Sequence, residues 1–499
     1  MYFVYSFLMA VAAAVLSPIW IWKGLRQGKY LSNLGERLGS SFPGLSGLAA
    51  ERPGAIWIHA VSVGEVLSGV ALAQKLKAAY PNRPLIISTT TQTGQALARE
   101  RVKAADAVIY FPFDWAFCVR RALDAVKPAL VIVLETEIWP NFLREADRRK
   151  VPVIFVSGRI SDKSFARYQK FFGWAGFYLR PFLRDALGHA RAFLMQSGRD
   201  AERVRELGVP TERVFVSGNL KYDQALPDAT PLSRWLEGEI ARGGRRPLIV
   251  MGSVVSTEEP LALIAFGVVQ GEFPDAFLVM APRKPEFFQQ AADFIHESRR
   301  KFVRRSELKI SGNGIEVAAG AGQVVKPNTS GAIDDAPEGA THNTGVVVDG
   351  VDYDRVGARS VGVVQTSGGA TIPRDVTVLL LDSIGELASL YQLADGAFVG
   401  GSLVESGGHN ILEPAAFGKI PVFGPSMENF AEMASRFVSA KAAVQVESPE
   451  DAGVAWIELL RDPERARRMS ERAKRLVDDS RGATARAMEE IAKYLGRPA

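Results

Sequence analysis

The 499-residue sequence has a single cysteine, Cys118. This excludes an intrachain disulfide and a metal site built from several cysteines, and it fits a reducing compartment. Signatures of nucleic-acid binding, such as a zinc finger or an RNP motif, are also lacking, so we expect no nucleic-acid partner. With 47% hydrophobic and 23% charged residues, the chain is globular rather than disordered, and it is long enough for two or three domains.

Charge is lacking from residues 1–22, MYFVYSFLMAVAAAVLSPIWIW, a run long enough to span or enter a bilayer. Positive charge follows the run, at Lys23, Arg26 and Lys29, whereas a cleaved signal peptide carries it before the apolar segment. By the positive-inside rule, the body of the protein then stays on the cytoplasmic side. We predict one N-terminal membrane anchor at 1–22, which either spans the bilayer or lies partly in one leaflet.

The formal net charge is only +5, but the basic residues are clustered. One group follows the apolar run, and a second consists of Arg299, Arg300, Lys301, Arg304 and Arg305. Clusters of this kind suit phosphates and anionic lipid.

Short apolar runs alternate with amphipathic stretches from Ala55 onward, which is typical of parallel strands covered by helices on both faces. We predict two Rossmann-like domains, at 23–230 and 240–499, with a ligand cleft between them. The strand-like segments of the first are 56–60, 84–89, 107–111, 130–134, 152–156 and 213–218. Those of the second are 247–252, 276–281, 376–382, 396–400 and 420–424.

Residues 311–373 interrupt this alternation, because they are rich in Gly, Ala, Ser, Thr and Asp and hold few strand-like pieces. A structureless loop of this length is unusual inside a compact domain. We therefore expect an insertion within the second domain, either partly mobile or folded into a hairpin.

Charged residues follow several predicted strands of the first domain. Glu65 lies after the first strand, in HAVSVGEV; Glu135 and Glu137 follow LVIVL, and Lys221 follows RVFVSG. Open α/β sheets bind ligands at the carboxyl ends of their strands, and paired carboxylates there are costly unless they bind something. A simpler interpretation stays open, in which Glu65 only stabilises the first turn of a helix and one of the other acids caps the helix near Pro140.

The second domain holds a glycine-rich segment, GGSLVESGGHNILEPAAFGKIPV, which runs from a strand into a helix near Asn410. Glycine pairs let backbone N–H groups approach a ligand, and a helix N-terminus attracts its phosphate. Asn410 and Glu413 lie one turn apart and can face the same ligand. In APRKPEFF, Arg283 and Lys284 bring positive charge to the end of another strand.

One known family shares these segments. The sequence resembles the 3-deoxy-D-manno-octulosonic acid (Kdo) transferases, glycosyltransferase family 30, in IWIHAVSVGEV, ETEIWPN, GNLKYD, APRKPE, DSIGEL and the glycine-rich segment. The resemblance extends from the N-terminal anchor to about Phe437. It implies a GT-B fold and an inverting enzyme of lipopolysaccharide core biosynthesis. Such an enzyme moves Kdo from CMP-Kdo to a lipid A precursor at the cytoplasmic face of the inner membrane.

The resemblance also implies roles for individual residues. Glu65 matches the general base that takes the proton of the acceptor hydroxyl, while Glu135 and Lys221 match positions that stabilise the transition state. CMP leaves with one phosphate, which a cation and a helix N-terminus can stabilise, so we expect no metal or other cofactor. CMP-Kdo contacts are implied for Pro282, Arg283, Ile384, Gly385, Glu386, Asn410, Ile411, Leu412 and Glu413.

The sequence departs from the family in three places. GSVVSTEE, at 252–259, lacks the histidine of a Ser-Thr-His run, Lys284 replaces a histidine, and the insertion at 311–373 is unusual. Asp352 and Asp354 in the insertion form a DxD pair, which holds a metal in some glycosyltransferases. In a glycine-rich insertion, a solvated loop is the simpler interpretation.

Two other functions stay open. The first is another GT-B nucleotide-sugar enzyme, such as a UDP-sugar transferase or a 2-epimerase, which needs contacts for a diphosphate. The second is a catalytically inactive, membrane-tethered binding module, against which the joint presence of Glu65, Glu135 and Lys221 argues.

Overall fold

The structure is a computed structural model that describes residues 1–27, 33–45, 47–48, 52, 54–224, 226–311, 314–317, 364–366 and 369–496. The chain forms two compact units. Met1–Ala225 and Asp478–Ala499 make up the first, and Leu226–Val477 the second.

The first unit is built on a seven-stranded parallel sheet with the order β3-β2-β1-β4-β5-β6-β7. The order reverses between β1 and β4, so the crevice at their carboxyl ends is the expected ligand position. The strands are β1 Ala55–His59, β2 Leu85–Thr89, β3 Ala107–Tyr110, β4 Pro128–Leu134, β5 Val153–Gly158, β6 Ala192–Met195 and β7 Val214–Val216.

The second unit holds a second seven-stranded parallel sheet, with the order β10-β15-β9-β8-β16-β17-β18. Its order reverses between β8 and β16. The strands are β8 Leu248–Val254, β9 Phe277–Pro282, β10 Lys301–Arg304, β15 Val376–Leu380, β16 Gly396–Val399, β17 Pro421–Phe423 and β18 Val444–Gln445.

The described parts of the predicted insertion form two antiparallel hairpins. One pairs β11, Leu308–Ser311, with β12, Gly314–Val317, and the other pairs β13, Val364–Thr366, with β14, Gly369–Thr371. Asp352 and Asp354 lie outside the described residues.

Helices connect the strands of both sheets. They are α1 Tyr2–Gln27, α2 Leu34–Arg37, α3 Val63–Ala79, α4 Gln92–Arg101, α5 Ala116–Val126, α6 Pro140–Arg148, α7 Asp162–Gly188, α8 Gly198–Glu206, α9 Pro231–Gly243, α10 Glu259–Glu272, α11 Phe288–Glu297, α12 Leu387–Leu390, α13 Leu412–Ala416, α14 Ala431–Ser439, α15 Pro449–Arg461, α16 Pro463–Asp479 and α17 Ala483–Leu495. Short 3-10 turns include Leu220–Asp223 after β7 and Pro285–Phe287 after β9.

Both faces of each sheet are buried, as the near-continuous apolar runs predict. In β1, Trp57 packs on one face with Phe111 and Phe142, while Ile56 and Ile58 belong to the core of the other face. The second sheet likewise has one core on each face. The prediction of two parallel-sheet α/β domains is therefore confirmed.

The prediction that 240–499 forms one domain is wrong at its end. Helix α17 belongs to the first unit. Its side chains Ala483, Ala487 and Ile491 are part of a hydrophobic core of the first sheet. The carboxylate of Asp223 accepts hydrogen bonds from the backbone N–H groups of Gly482, at 2.6 Å, and Thr484. The last helix thereby braces the turn that follows β7.

Helix α1 contacts the rest of the first unit through polar side chains near its N-terminus. The hydroxyl of Tyr2 donates to Asp185 at 2.9 Å, and that of Tyr5 donates to Asp114 at 3.0 Å. Across the described residues, no helix has the length and apolar character required to cross a membrane. The anchor at 1–22 stays a prediction.

Candidate active site

Glu65 lies at the reversal point of the first sheet, in the first turn of α3, directly after β1. Ser62 caps this helix by accepting from the backbone N–H of Glu65, at 3.4 Å. The Glu65 carboxylate folds back, and accepts from the backbone N–H of Val61 at 2.7 Å and from the hydroxyl of Ser62 at 2.8 Å. The simpler interpretation, in which Glu65 stabilises the helix end, is therefore realised in the structure.

The surroundings of the same carboxylate also shift its pKa. Glu65 is only 5% exposed. Burial, and next the negative charge of Glu135, raise the pKa of Glu65 to about 7, although the hydrogen bonds from Val61 and Ser62 favour the ionised form. A group that titrates near neutral pH can accept a proton during turnover, so the capping contacts do not exclude catalysis.

Glu135 forms an ion pair with Lys221, and its negative charge also acts on Glu65. Lys221 Nζ lies 3.3 Å from Oε1 of Glu135, which joins the end of β7 to the end of β4. The structure thus brings together the three residues predicted to carry the chemistry. Glu135 has a φ of 55°, so the chain leaves β4 in a left-handed turn rather than in an extended conformation. Burial, and next the negative charge of Glu135, raise the pKa of Glu137, so the two acids still interact.

Polar side chains hold the turn that carries Lys221. The side chain of Asn219 accepts from the backbone N–H of Lys221 at 2.9 Å and donates to Gln196 at 2.9 Å. Gln196 in turn donates to the carbonyl oxygen of Ser157 at 2.9 Å. The hydroxyl of Ser157 accepts from the backbone N–H of Leu220 at 3.3 Å. Of these residues, sequence reasoning singled out only Lys221.

The N-terminus of helix α6 is capped by a residue that the sequence analysis did not identify. Asp114 accepts from the backbone N–H groups of Asn141 at 3.1 Å and Phe142 at 2.7 Å. Burial raises the pKa of Asp114 to about 7. The expectation that Glu135 or Glu137 caps this helix is wrong, because Asp114, far away in sequence, fills that role.

In the second unit, Pro282 ends β9 and Arg283 follows it. The backbone N–H of Arg283 donates to the carbonyl oxygen of Val254 at 2.7 Å, which fixes the turn against β8. Pro282 is buried, whereas the Arg283 side chain lines a cavity of about 380 Å³. The cavity is also lined by Val255, Ser256, Thr257, Lys284, Phe287, Val404, Glu405 and Ser406.

Glu386 is held by protein side chains. Arg305 donates to both of its carboxylate oxygens, at 2.8 and 3.0 Å, and the hydroxyl of Ser383 donates at 2.6 Å. This pairing gives Arg305, from the second basic cluster, a structural partner. The neighbouring Ile384 is 67% exposed, and Gly385 has a φ of 92°. In this predicted donor segment, Ile384 and Gly385 are therefore exposed, whereas Glu386 is partly buried.

The segment from Asn410 to Glu413 lies near Arg283. Burial raises the pKa of Glu413, while a hydrogen bond from Asn410 and the charge of Arg283 lower it. The side chain of Asn410 also accepts from the backbone N–H of Leu412, at 3.2 Å. Asn410 precedes α13 rather than lying on it, so the predicted helix start is early. The side chains of Ile411 and Leu412 are buried.

The backbone N–H groups of the two glycine pairs already have protein partners, so the expectation that they approach a ligand is wrong. Gly400 donates to Gly252 at 2.8 Å, and Gly408 donates to Gly401 at 2.7 Å. Gly407 donates to the hydroxyl of Ser426, at 2.9 Å. Gly401 donates to the carboxylate of Glu258, at 2.6 Å. The sequence analysis did not identify Glu258.

Within the described ranges, no group of three or more His, Cys, Asp or Glu side chains is placed to hold a metal ion. The expectation that the enzyme works without a metal or another cofactor stays a prediction.

The two parallel sheets, each with charged residues at its reversal point, have the architecture of the GT-B fold. Solved structures share this fold. A UDP-N-acetylglucosamine 2-epimerase matches at a TM-score of 0.51 with 13% identity, over 89% of this chain and 97% of that one. A glycosyltransferase from Rickettsia africae matches at 0.51 with 12% identity, over 89% and 99%.

Sequence comparison defines the family. The family model described as 3-deoxy-D-manno-octulosonic-acid transferase matches residues 32–224, and that of glycosyl transferases group 1 matches 367–476. The Kdo transferase of Haemophilus influenzae is 29% identical over 95% of this chain and 94% of its own length. That of Bordetella pertussis is 28% identical over 96% and 97%. The chain belongs to the Kdo transferase family of glycosyltransferases.

Proposed function

We propose that this enzyme transfers Kdo from CMP-Kdo to a lipid A precursor of the lipid IVA type. Family membership supports the donor and the reaction class. The observation that carries the mechanism is the buried Glu65 carboxylate, whose pKa of about 7 suits a general base, beside the Glu135–Lys221 pair.

Glu65 takes the proton of the acceptor hydroxyl as that oxygen attacks the anomeric carbon of Kdo. The C–O bond to CMP breaks on the opposite face, and the configuration inverts. The capping contacts from Val61 and Ser62 fix the position of the Glu65 carboxylate. Lys221, held against Glu135, stabilises the negative charge that develops in the transition state.

CMP-Kdo binds the second unit in this proposal. Arg283 and Lys284 line the same cavity as Ser256 and Ser406, which provides cations and hydroxyl donors for an anionic ligand. The departing CMP carries one phosphate, and the Kdo carboxylate takes a cation from Arg283 or Lys221. This chemistry requires no metal.

The proposal includes attachment to the cytoplasmic face of the inner membrane by residues 1–22. Two features of α1 support it. Tyr2, Tyr5 and Ser6 make polar contacts with Asp185, Asp114 and Asn141. Phe3, Phe7 and Leu8 are exposed, at 82%, 58% and 60%. Exposed apolar side chains on a helix that is otherwise docked suit lipid contact.

Product analysis tests the proposal. The purified enzyme is incubated with CMP-Kdo and a tetraacylated disaccharide phosphate, and the products are counted by mass. We expect acceptor mass to increase by whole Kdo residues, with release of CMP. Thermal protection by CMP or CTP but not by UDP is expected in parallel. Protection by UDP without Kdo transfer would instead favour a UDP-sugar transferase or an epimerase.

A further inference from the structure

Glu258 lies at the reversal point of the second sheet, immediately before α10, and its side chain is fully buried. Its carboxylate accepts hydrogen bonds from three successive backbone N–H groups of the loop after β16. The donors are Gly401 at 2.6 Å, Ser402 at 3.0 Å and Leu403 at 3.0 Å. A fourth bond comes from the backbone N–H of Val255, at 3.3 Å.

Consecutive N–H groups of this kind form a concave anion-binding site, which in other proteins takes a phosphate. Here the anion is part of the protein. Burial raises the pKa of Glu258, while the four backbone N–H groups favour its ionised form. The carboxylate thereby fixes the loop at 401–403, and the loop is closed to a phosphate of the ligand.

The 401–403 loop supports the predicted donor segment. Gly401 accepts from the backbone N–H of Gly408 at 2.7 Å, and Ser402 accepts from that of Ser426 at 2.9 Å. A Cβ at Gly401 would lie 3.0 Å from the His409 ring, so this ring packs directly on the loop. The segment Asn410–Glu413 follows His409 without a break.

The loop also packs tightly against the connection after β8. A Cβ at Gly400 would lie 2.4 Å from the carbonyl oxygen of Ser253, so the two backbones are in direct contact. The β8 connection contains Ser256 and Thr257, and the backbone of Val254 holds Arg283. Glu258 is therefore bonded to both backbone segments that flank the cavity containing Arg283.

We infer that Glu258 is a positioning residue, an internal anion that holds the 401–403 loop and through it the CMP-Kdo site. The inference rests on the proposed function for the identity of the ligand.

Chemical rescue tests this role. Glu258→Ala removes the Cγ atom and the carboxylate, which together are the atoms of acetate. We expect Glu258→Ala to weaken CMP binding by about tenfold to a hundredfold in calorimetry, because the loop loses its fixed geometry. Sodium acetate should restore affinity to Glu258→Ala, whereas sodium chloride at the same ionic strength should not. KM for CMP-Kdo should rise, while KM for the lipid acceptor stays constant.

Two further variants keep the test decisive. Glu258→Gln preserves size but replaces one acceptor oxygen with an NH₂ group, so its CMP affinity should lie between those of wild type and Glu258→Ala. Glu259→Gln is the matched control, since Glu259 is equally buried and no hydrogen bond joins it to the 401–403 loop in the described part of the chain. It should bind CMP like wild type.

Several outcomes would overturn the inference. One is a folded Glu258→Ala or Glu258→Gln variant that binds CMP with wild-type affinity. Another is a loss of CMP affinity in Glu258→Ala that acetate does not reverse. A lowered melting temperature with unchanged CMP affinity would assign Glu258 to folding alone. Wild-type protein is measured first, and failure of that protein to bind CMP or use CMP-Kdo would contradict the proposed function instead.

Discussion

Lys221 Nζ lies 3.3 Å from Oε1 of Glu135, so the loops after β7 and β4 meet at the reversal point of the first sheet. Both side chains are largely buried, at 18% and 27% exposure. The charge of Glu135 also reaches Glu65, where it raises the pKa. The three residues therefore form one electrostatic unit, and a substitution at one should change the behaviour of another.

Lys221→Met tests the cation of this unit. Turnover of CMP-Kdo should fall by about a hundredfold to a thousandfold, because a charge that stabilises the transition state is lost. Lys221→Arg, which keeps the charge, should retain more activity. Lys75→Met, at an exposed position of α3, is the control and should be unaffected. Unchanged turnover with a lowered melting temperature would mean that the ion pair only stabilises the fold.

Glu135→Gln tests the coupling between the two acids. For wild type, kcat/KM should decline as the pH falls through about 7, because protonated Glu65 cannot act as a base. Removal of the Glu135 charge lowers the pKa of Glu65, so the decline should move to lower pH. Glu137→Gln should move it in the same direction by less, since the charge of Glu137 has a smaller effect on Glu65.

The pH profile of an exposed acid variant, Glu100→Gln, serves as the control. A Glu135→Gln profile that coincides with that of wild type would show that the decline reports another group.

Deletion of Met1–Trp22 tests the anchor. The truncated enzyme should leave the membrane fraction and keep turnover on a detergent-dispersed acceptor. Its melting temperature should fall, because the contacts of Tyr2 with Asp185 and of Tyr5 with Asp114 are lost. Tyr5→Phe, which removes only one hydroxyl, is the matched control and should still sediment with vesicles. Sedimentation of the truncated enzyme with vesicles at high salt would place the anchor elsewhere.

Chelation tests the expectation of metal-free catalysis. EDTA should leave turnover of CMP-Kdo largely intact, because the proposed mechanism stabilises one departing phosphate with cationic side chains. Activity that is lost in EDTA and restored by Mg²⁺ or Mn²⁺ would instead indicate that Asp352 and Asp354 are metal ligands. Asp352→Asn with Asp354→Asn would then be the variant to measure.

The sequence predicted most of the fold because buried parallel strands are nearly continuous apolar runs. It missed β6, β10 and β18 for local reasons, and β18, Val444–Gln445, has only two residues. β6, Ala192–Met195, has only four residues, and β10, Lys301–Arg304, carries charges at both ends, as an edge strand can. The return of α17 to the first unit depends on packing between residues that are distant in sequence, which local patterns do not reveal.

Residues of the candidate site could be predicted where a charged residue comes shortly after a strand. Examples are Glu65, Glu135, Lys221 and Arg283. Non-local partners were not predictable in the same way. Glu258 binds a loop 143 residues away at Gly401, and no local spacing connects the two. The glycine pairs show the same limit, because their spacing indicates close backbone approach but not whether a ligand or the protein itself approaches.

Glu65→Gln provides the most direct measurement of the central claim. The variant keeps the size of the side chain and can still accept the capping bonds from Val61 or Ser62, but it cannot take the acceptor proton. Turnover of CMP-Kdo and the melting temperature are measured on the same preparation. We predict a loss of turnover of about a hundredfold to ten-thousandfold, with CMP binding preserved. Near-normal turnover with a lowered melting temperature would contradict the account, since Glu65 would then be only a helix cap.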